Sequence, residues 1–347
     1  PGEFRITTDP SSQWYPAIYG DIVVWEDNRN GNWDIYGYNL STKEEFPITT
    51  DPSDQENPAI YGNIVVWQDY RNGNADIYGY NLSTKEEFQI TADKNTQHFP
   101  AIYGDIVVWG DQRNGESDIY GYDLSKEEEF QITADPSFQR FPSIYGDIVV
   151  WDDYRNAPCN GGWDIYGYDL STREEFRITT DPEDQTDPKI WGDIVIWTDY
   201  RNDNFDVYGY NLLTRKEFQI TTGLNTQVQP AIYGDIVIWL DRYGKKDVGD
   251  MRDHIYGYNL STGEEFHVVI EGDPELPAIY GNTVVWGDFR NGESDIYGCI
   301  LLSPIMQTTE KSTEQKEEGD ENGKVCLGTL FVVLLLIGGM SRYLKNW

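Results

Sequence analysis

The sequence has little positive charge and few of the residues that usually carry chemistry. Its 347 residues include 26 Lys and Arg against 60 Asp and Glu, which gives a formal net charge of −34. This balance excludes nucleic-acid binding, because phosphate recognition requires clusters of basic side chains. The three cysteines and three histidines are scattered, so they predict no disulfide framework, metal-ligand pattern or catalytic triad. They are Cys159, Cys299, Cys326, His98, His254 and His267.

Helical periodicity is also absent before residue 303, and a repeat fills this part of the chain instead. Close copies of residues 59–91, AIYGNIVVWQDYRNGNADIYGYNLSTKEEFQIT, follow one another at intervals of 42 to 47 residues. A period of this length, with several short strands per unit, is typical of a β-propeller blade. Seven copies therefore predict an all-β, seven-bladed propeller over residues 1–302. The tryptophans that mark the copies are Trp25, Trp67, Trp109, Trp151, Trp197, Trp239 and Trp286.

Each repeat predicts four strands. In the second repeat a short first strand begins at Pro58, the second covers 64–67, the third 76–82 and the fourth 87–91. The second strand is apolar at successive positions, as expected for a strand buried on both faces between stacked blades. Asn72-Gly73 is a strong turn signal before the third strand.

The two ends of the repeat region have complementary defects. Glu3 to Thr8 matches a fourth strand without the three strands before it, whereas the seventh repeat stops after Leu302 without its fourth strand. We expect the N-terminal strand to complete the last blade and close the ring, which removes exposed sheet edges. The alternative is a chain that simply starts in the middle of a repeat.

The C-terminal part abandons the repeat. Residues 303–324 are charged and nearly free of aliphatic side chains, which predicts a disordered acidic stalk. Residues 325–341 form an apolar run, slightly short of a typical span, that snorkelling of flanking cations extends to a transmembrane helix. Basic residues in 342–347 place this tail in the cytoplasm and the propeller outside the cell. We therefore expect a single-pass cell-membrane protein, with a signal or upstream domain removed before Pro1.

The repeat motif resembles a known family. Residues 69–78, DYRNGNADIY, followed by EFQIT, are similar to the repeat of TolB-type propellers, and YGDIVVW with a C-terminal anchor resembles archaeal cell-surface repeat proteins. This resemblance implies a protein-binding module or a propeller appended to a peptidase. No G-x-S-x-G nucleophile elbow is present. A lyase with a related propeller would need a metal and basic groups in its cleft, which the sequence does not locate.

Acidic turns recur between the second and third strands. Calcium loops also place acids and Asn-Gly at short spacing, but here an Arg stands where a ligand oxygen would be needed. An Arg–Asp fork that ties the turn is therefore the preferred interpretation, with calcium as the alternative and no other cofactor. In the first repeat the residues of this turn are Asp27, Arg29 and Asp34, and in the second repeat they are Asp69, Arg71 and Asp76.

The face of the propeller that carries the loops between second and third strands and the connections between blades is called the top, and the opposite face the bottom. The candidate ligand site is the mouth of the central channel at the top. A Gln-x-x-Pro motif precedes the first strand in six repeats, and its two middle residues vary most. Exposed aromatic groups there suit sugar or peptide binding, although a plugged channel with drifted loops is an alternative. The predicted mouth residues are Trp14, Tyr15, Glu56, His98, Phe99, Arg140, Phe141, Asp187, Gln229 and Glu275.

The functional prediction is a non-catalytic binding or adhesion module for a protein or glycan at the cell surface, without catalytic residues. The alternatives are a passive structural component of the envelope and, less favoured, an extracellular polymer lyase or hydrolase. Asn39, Asn81 and Asn259 each begin an N-L-[ST] sequence and are candidate glycosylation sites on bottom turns.

Overall fold

The computed structural model describes residues 2–156, 162–242, 253–269 and 271–301. These ranges contain 28 strands and no helix. Across them, no helix has the length and apolarity that a membrane span requires. The predicted stalk at 303–324, span at 325–341 and tail at 342–347 lie outside the described residues.

The strands form seven four-stranded antiparallel sheets, and each sheet is one blade. Blade one is β2 (Gln13–Tyr19), β3 (Ile22–Asp27), β4 (Asp34–Asn39) and β5 (Glu44–Pro47). Blade two is β6 (Gln55–Tyr61), β7 (Ile64–Asp69), β8 (Asp76–Asn81) and β9 (Glu86–Gln89). Blade three is β10 (Gln97–Tyr103), β11 (Ile106–Asp111), β12 (Asp118–Asp123) and β13 (Glu128–Gln131). Blade four is β14 (Gln139–Tyr145), β15 (Ile148–Asp153), β16 (Asp164–Asp169) and β17 (Glu174–Arg177).

The remaining blades follow the same order. Blade five is β18 (Gln185–Trp191), β19 (Ile194–Asp199), β20 (Asp206–Asn211) and β21 (Lys216–Gln219). Blade six is β22 (Thr226–Tyr233), β23 (Ile236–Arg242), β24 (His254–Asn259) and β25 (Glu264–Val269). Blade seven is β26 (Pro274–Tyr280), β27 (Thr283–Asp288), β28 (Asp295–Ile300) and, from the other end of the chain, β1 (Glu3–Arg5).

Strand β1 is the outer strand of blade seven. It pairs antiparallel with β28, with Glu3 opposite Cys299. Its side chains also make the contacts of a fourth strand. Arg290 Nη1 donates to Glu3 Oε2 at 2.8 Å, and Arg5 Nη2 donates to Asp295 Oδ1 at 2.6 Å. In blades one to five, the turn arginine pairs instead with a Glu of the blade's own fourth strand.

The hydrophobic core lies between neighbouring blades, because the second strand of each blade is buried on both faces. One cluster joins Val24 and Ile35 of blade one to Val65 and Trp67 of blade two, and the same arrangement repeats around the ring. All seven marker tryptophans are at most 2% exposed. Burial of a large apolar side chain stabilises a fold by about 1.5–3 kcal/mol, so these interfaces dominate the cohesion of the ring.

The first strands of neighbouring blades contact each other and line a central channel. At the end where each first strand turns into the second, seven aromatic side chains form a closed circle, here called the aromatic ring. Successive ring centroids are 4.1–4.8 Å apart, and interplanar angles of 41–55° are close to one seventh of a full turn. The aromatic ring therefore narrows the bottom of the channel. Its members are Tyr19, Tyr61, Tyr103, Tyr145, Trp191, Tyr233 and Tyr280.

Candidate functional site

The variable residues of the Gln-x-x-Pro motif lie inside the first strands, whereas the predicted first strands begin at the proline. In blade two, β6 begins at Gln55, and its register with β7 shifts between Glu56 and Ala59. The second variable residue of each blade has a φ of 50–56°, which marks a β-bulge that redirects its side chain. The seven bulge residues are Tyr15, Asn57, Phe99, Phe141, Asp187, Gln229 and Leu276.

Two buried carboxylates tie these bulges to the preceding blade. Asn57 N–H donates to Glu26 Oε1, and Asp187 N–H donates to Asp152 Oδ1 at 2.9 Å. Burial raises the pKa of Glu26 to about 8, against the opposing effect of the Asn57 N–H. Burial also raises the pKa of Asp152 to about 8, and the nearby Arg140 charge opposes this rise. Both carboxyl groups act as links between blades, and Asp152 has no exposed surface.

A pair of cations stands on one side of the mouth, at blades four and five. Arg140 Nε lies 3.3 Å from Asp152 Oδ2, and Lys189 Nζ donates to Asp187 Oδ1. Arg140, Lys189 and their two acidic partners are called the basic arc. Lys189 occupies a first-strand position that is small in every other blade. The other blades have Ala17, Ala59, Ala101, Ser143, Ala231 and Ala278 there.

The basic arc corrects the statement that no basic group could be located in the cleft. Arg140 was among the predicted mouth residues, but Lys189 was missed. The available signal was a single lysine at a position where six repeats have Ala or Ser. The Lys189 side chain is 39% exposed and that of Arg140 is 30% exposed, so both are accessible from the channel mouth.

An aromatic surface continues from the basic arc across the top of blade four. The rings of Phe99 and Phe141 are 4.5 Å apart, and the Arg140 guanidinium lies 4.9 Å from the Phe141 centroid. The same guanidinium also lies 3.9 Å from the centroid of the Trp163 ring. Trp163 then contacts Tyr154 at 4.8 Å and Phe138 at 5.8 Å. Phe138, Tyr154 and Trp163 are called the aromatic platform.

The opposite side of the mouth is acidic. Burial raises the pKa of Tyr15, and the charges of Glu26, Glu275 and Glu56 raise it further, so these groups are near one another. Tyr15 is 43% exposed. The Trp14 ring packs edge-on against Phe289, at 5.1 Å.

Two other predicted mouth residues hold local contacts on blades six and seven. Gln229 Oε1 accepts the N–H of Leu276 at 2.8 Å. Glu275 Oε1 lies 3.7 Å from Arg242 Nη2. Both contacts join blade six to blade seven at the top of the channel.

His98 does not line the mouth, which corrects its place among the predicted residues. Its side chain is 7% exposed and packs edge-on against Phe99, with Nε2 3.5 Å from Ser117 Oγ. A Cβ at Gly110 would lie 2.8 Å from His98 Nε2, so the imidazole fills the space that glycine leaves. Burial lowers the pKa of His98 to about 4, and the ring is neutral near pH 7.

The acidic turns hold Arg–Asp forks. Both carboxylate oxygens of Asp69 accept from Arg71, at 2.9 Å from Nε and 2.7 Å from Nη2, and Trp67 Nε1 donates to the same carboxylate at 2.9 Å. Arg71 also pairs with Glu87 and lies over the Tyr78 ring. The described residues contain no group of three or more His, Cys, Asp or Glu side chains arranged to hold a metal ion.

The candidate glycosylation residues stand on the turns between third and fourth strands. Asn39 Oδ1 accepts the N–H groups of Ser41 and Thr42, at 2.9 and 3.0 Å. Asn81 and Asn259 make the same turn. Asn259 is 8% exposed, so it is the least accessible of the three.

Comparison with solved structures finds the same fold. An oligogalacturonate lyase in complex with manganese matches with a TM-score of 0.66 at 13% identity, over 88% of this chain and 94% of the lyase. A puromycin hydrolase matches with a TM-score of 0.65 at 11% identity, over 86% of this chain and 55% of the hydrolase. A putative TolB from Agrobacterium tumefaciens matches with a TM-score of 0.52 at 15% identity, over 78% of this chain and 98% of that one. No protein-family model and no curated protein matches the chain.

The chain therefore has a TolB-like seven-bladed β-propeller fold, as its repeat predicted. The prediction of a non-catalytic binding or adhesion module is contradicted, because the propellers that it resembles include a lyase and a hydrolase. Identities of 11–15% carry the fold and not the activity. Since enzymes and TolB both share this fold, the fold alone does not assign a function, and the residues at the mouth must distinguish the possibilities.

Proposed function

We propose that the propeller is a carbohydrate lyase that cleaves an acidic oligosaccharide at the top mouth of its channel. The observation that carries this proposal is the basic arc beside half-buried aromatic rings. The guanidinium of Arg140 and the ammonium of Lys189 can neutralise a sugar carboxylate, while Phe141 offers a flat apolar surface to a sugar ring. The likeness to a lyase over 94% of that lyase's length supports a propeller that acts without a second domain.

The reaction class is β-elimination from a uronate sugar. Arg140 hydrogen-bonds through Nε to Asp152, and within the described residues its other N–H groups have no protein acceptor, so they are available to a substrate carboxylate. The Asp187 carboxylate takes the proton from the carbon next to the sugar carboxylate. The electron pair of that C–H bond forms a carbon–carbon double bond as the glycosidic C–O bond breaks.

The same ion pair completes the proton balance. The leaving oxygen takes a proton from the Lys189 ammonium, and the proton on Asp187 then passes to the lysine to restore the pair. The products are an unsaturated uronate sugar and a shortened oligosaccharide. The manganese of the similar lyase has no matching set of three donors among the described residues, so these residues do not fit it and no step depends on a metal.

The test is the appearance of unsaturated product from oligogalacturonates and other uronate oligomers, followed by ultraviolet absorbance. Lys189→Ala gives blade five the residue that five of the other six blades have, so the fold should persist while kcat falls by about 100-fold or more. Lys126→Ala removes an exposed cation from a turn between third and fourth strands and should leave the rate unchanged. The proposal fails if the parent protein forms no unsaturated product, or if Lys189→Ala retains full activity.

We also propose that the pairing of β1 with β28 closes the ring, supported by the two ion pairs that β1 makes with blade seven. The N-terminal strand then serves as the fourth strand of the last blade and leaves no unpaired edge on β28. Closure keeps blades seven and one side by side, as the mouth requires.

A further proposal concerns location. The apolar run at 325–341 anchors the protein in the cell membrane with the propeller outside, where polymer substrates or surface glycans are its partners. Protease added to whole cells should release the propeller by cutting within 303–324. Digestion of the C-terminal tail with a protected propeller would reverse this orientation.

A further inference from the structure

The aromatic platform lies outside the channel mouth, on the loops at the top of blade four. Trp163 precedes β16 and Tyr154 follows β15, so both belong to the connection between second and third strands. Arg140 lies 3.9 Å from the Trp163 centroid, and Tyr154 meets the indole at 46°. Phe138 meets it edge-on at 79°. Three neighbours thus fix the orientation of Trp163, although Tyr154 is 43% exposed.

No blade needs this set of residues for its own fold. The position of Trp163 is occupied by Trp33 in blade one, by Ala75 in blade two and by Ser117 in blade three, and Arg140 has no Arg or Lys counterpart in the other six repeats. The combination of Phe, Arg, Tyr and Trp at these four positions occurs in blade four alone among the seven repeats. Since the other blades reach the same backbone without it, the platform is not explained by packing of the blade.

Arg140 connects the platform to the basic arc. Its guanidinium lies over the Phe141 ring at the mouth and over the Trp163 ring of the platform. A flat apolar surface beside a guanidinium matches a pyranose ring that carries a carboxylate, because the ring packs on the aromatic face and the carboxylate pairs with the arginine. At the mouth, Phe141 places an aromatic ring beside the same guanidinium, so one elongated ligand can meet both rings.

We infer that the aromatic platform is a second sugar subsite, on which the next ring of the same acidic oligosaccharide stacks. The inference rests on the proposed lyase function and adds a direction: the substrate runs from the channel mouth outward across blade four. Oligosaccharides long enough to reach Trp163 therefore bind more tightly than the shortest ones, and truncation of the platform removes this advantage alone.

The test uses the full chain with Lys189→Ala as background, so that the ligand is not consumed. Calorimetry measures the Kd of a galacturonate dimer and of a hexamer. Trp163→Ser, which gives blade four the residue of blades three and seven, should weaken the hexamer by about 10-fold and leave the dimer unchanged. Tyr154→Gln, with the residue of blade three, is an independent variant should Trp163→Ser fail to fold.

Blade five supplies a matched control. Tyr200 and Phe205 form the same aromatic pair, with centroids 4.8 Å apart, but no arginine lies over them. Phe205→Ala should leave the Kd of both oligomers unchanged. The subsite is refuted if Trp163→Ser binds the hexamer as tightly as its parent, if it weakens dimer and hexamer equally, or if neither oligomer binds the parent. If the Lys189→Ala background binds with length preference but the wild-type protein forms no unsaturated product, the lyase is refuted and the subsite is supported.

Discussion

The two ends of the channel differ in how far the repeat constrains them. At the bottom, six tyrosines and Trp191 occupy one position, and each touches the equivalent side chain of both neighbours. At the top, seven bulges share one backbone conformation while their side chains include aromatic, amide, acidic and aliphatic groups. Contacts that run around the whole circle demand the same ring in every blade. A repeated bulge fixes only the backbone, so its side chains are available for a ligand.

The contacts of the aromatic ring need a closed circle of seven blades. Opening this circle should therefore have the largest effect. Deletion of residues 1–8 removes β1, the buried Ile6 and the Arg5–Asp295 pair from blade seven. We expect a loss of more than about 3 kcal/mol in the free energy of unfolding, since loss of a buried large aliphatic side chain alone costs 2–5 kcal/mol. Thermal unfolding and light scattering measure this loss and the aggregation that the exposed edge of β28 favours. An unchanged melting curve would show that β1 does not hold the ring.

One substitution at each end tests the contrast directly. Tyr103→Ala removes two contacts of the aromatic ring, with centroids 4.7 Å from Tyr61 and 4.6 Å from Tyr145. We expect it to destabilise the protein by about 2–3 kcal/mol. Phe99→Ala at the mouth should cost about 1 kcal/mol or less, because Phe99 contacts a single ring on the next blade. Equal losses in denaturant titrations would mean that both ends are structural.

The buried carboxylates beneath the bulges should make stability depend on pH. The pKa of Asp152 and of Glu26 is raised to about 8 in the fold, against about 4 in an unfolded chain. Between these values the folded state binds more protons, so both groups lower the free energy of unfolding as pH rises from about 4 to about 8.

Asp152→Asn removes one of these groups and should flatten the decline in melting temperature over that range. Glu26→Gln should act in the same direction, and the parent protein is the reference. A variant whose melting temperature falls with pH as steeply as that of the parent would contradict the assignment.

The smallest expected effect concerns the turns that are common to most blades. Asp69 already receives four N–H groups, three from Arg71 and one from Trp67, which leaves its oxygens poorly suited to a cation. We expect the same melting temperature in millimolar calcium and in chelator. A rise with calcium would indicate that the native state binds the ion, by linkage.

The features that could be predicted from the sequence are those that the same residue pattern marks in repeat after repeat. The blade number, the buried second strand and the Arg–Asp fork follow from local patterns such as IVVW and Asp69-x-Arg71. The start of the first strand was misplaced, because Pro58 marks an apparent boundary. In the fold, this proline sits on an edge strand, where the ladder does not need its missing N–H.

The candidate site was harder to predict because residues of two blades assemble it. Arg140 and Lys189 come from the neighbouring blades four and five, and no single repeat contains both. His98 looked like a mouth residue by its position in the motif, yet Gly110 leaves a space that draws it inward. The prediction of no catalysis relied on the lack of local catalytic motifs, which cannot reveal groups that neighbouring blades bring together at the mouth.

The outer strand of blade seven has a consequence for the order of folding. Blades one to six are built from hairpins between neighbours in sequence, whereas Arg5 meets Asp295 across 290 positions of the chain. Closing so long a loop has an entropic cost that no earlier contact offsets, and high contact order slows folding. We therefore expect six blades to assemble early and the last to wait until both ends meet. An intermediate in which the outer edge of β28 has no partner strand is then the species that a chaperone would encounter.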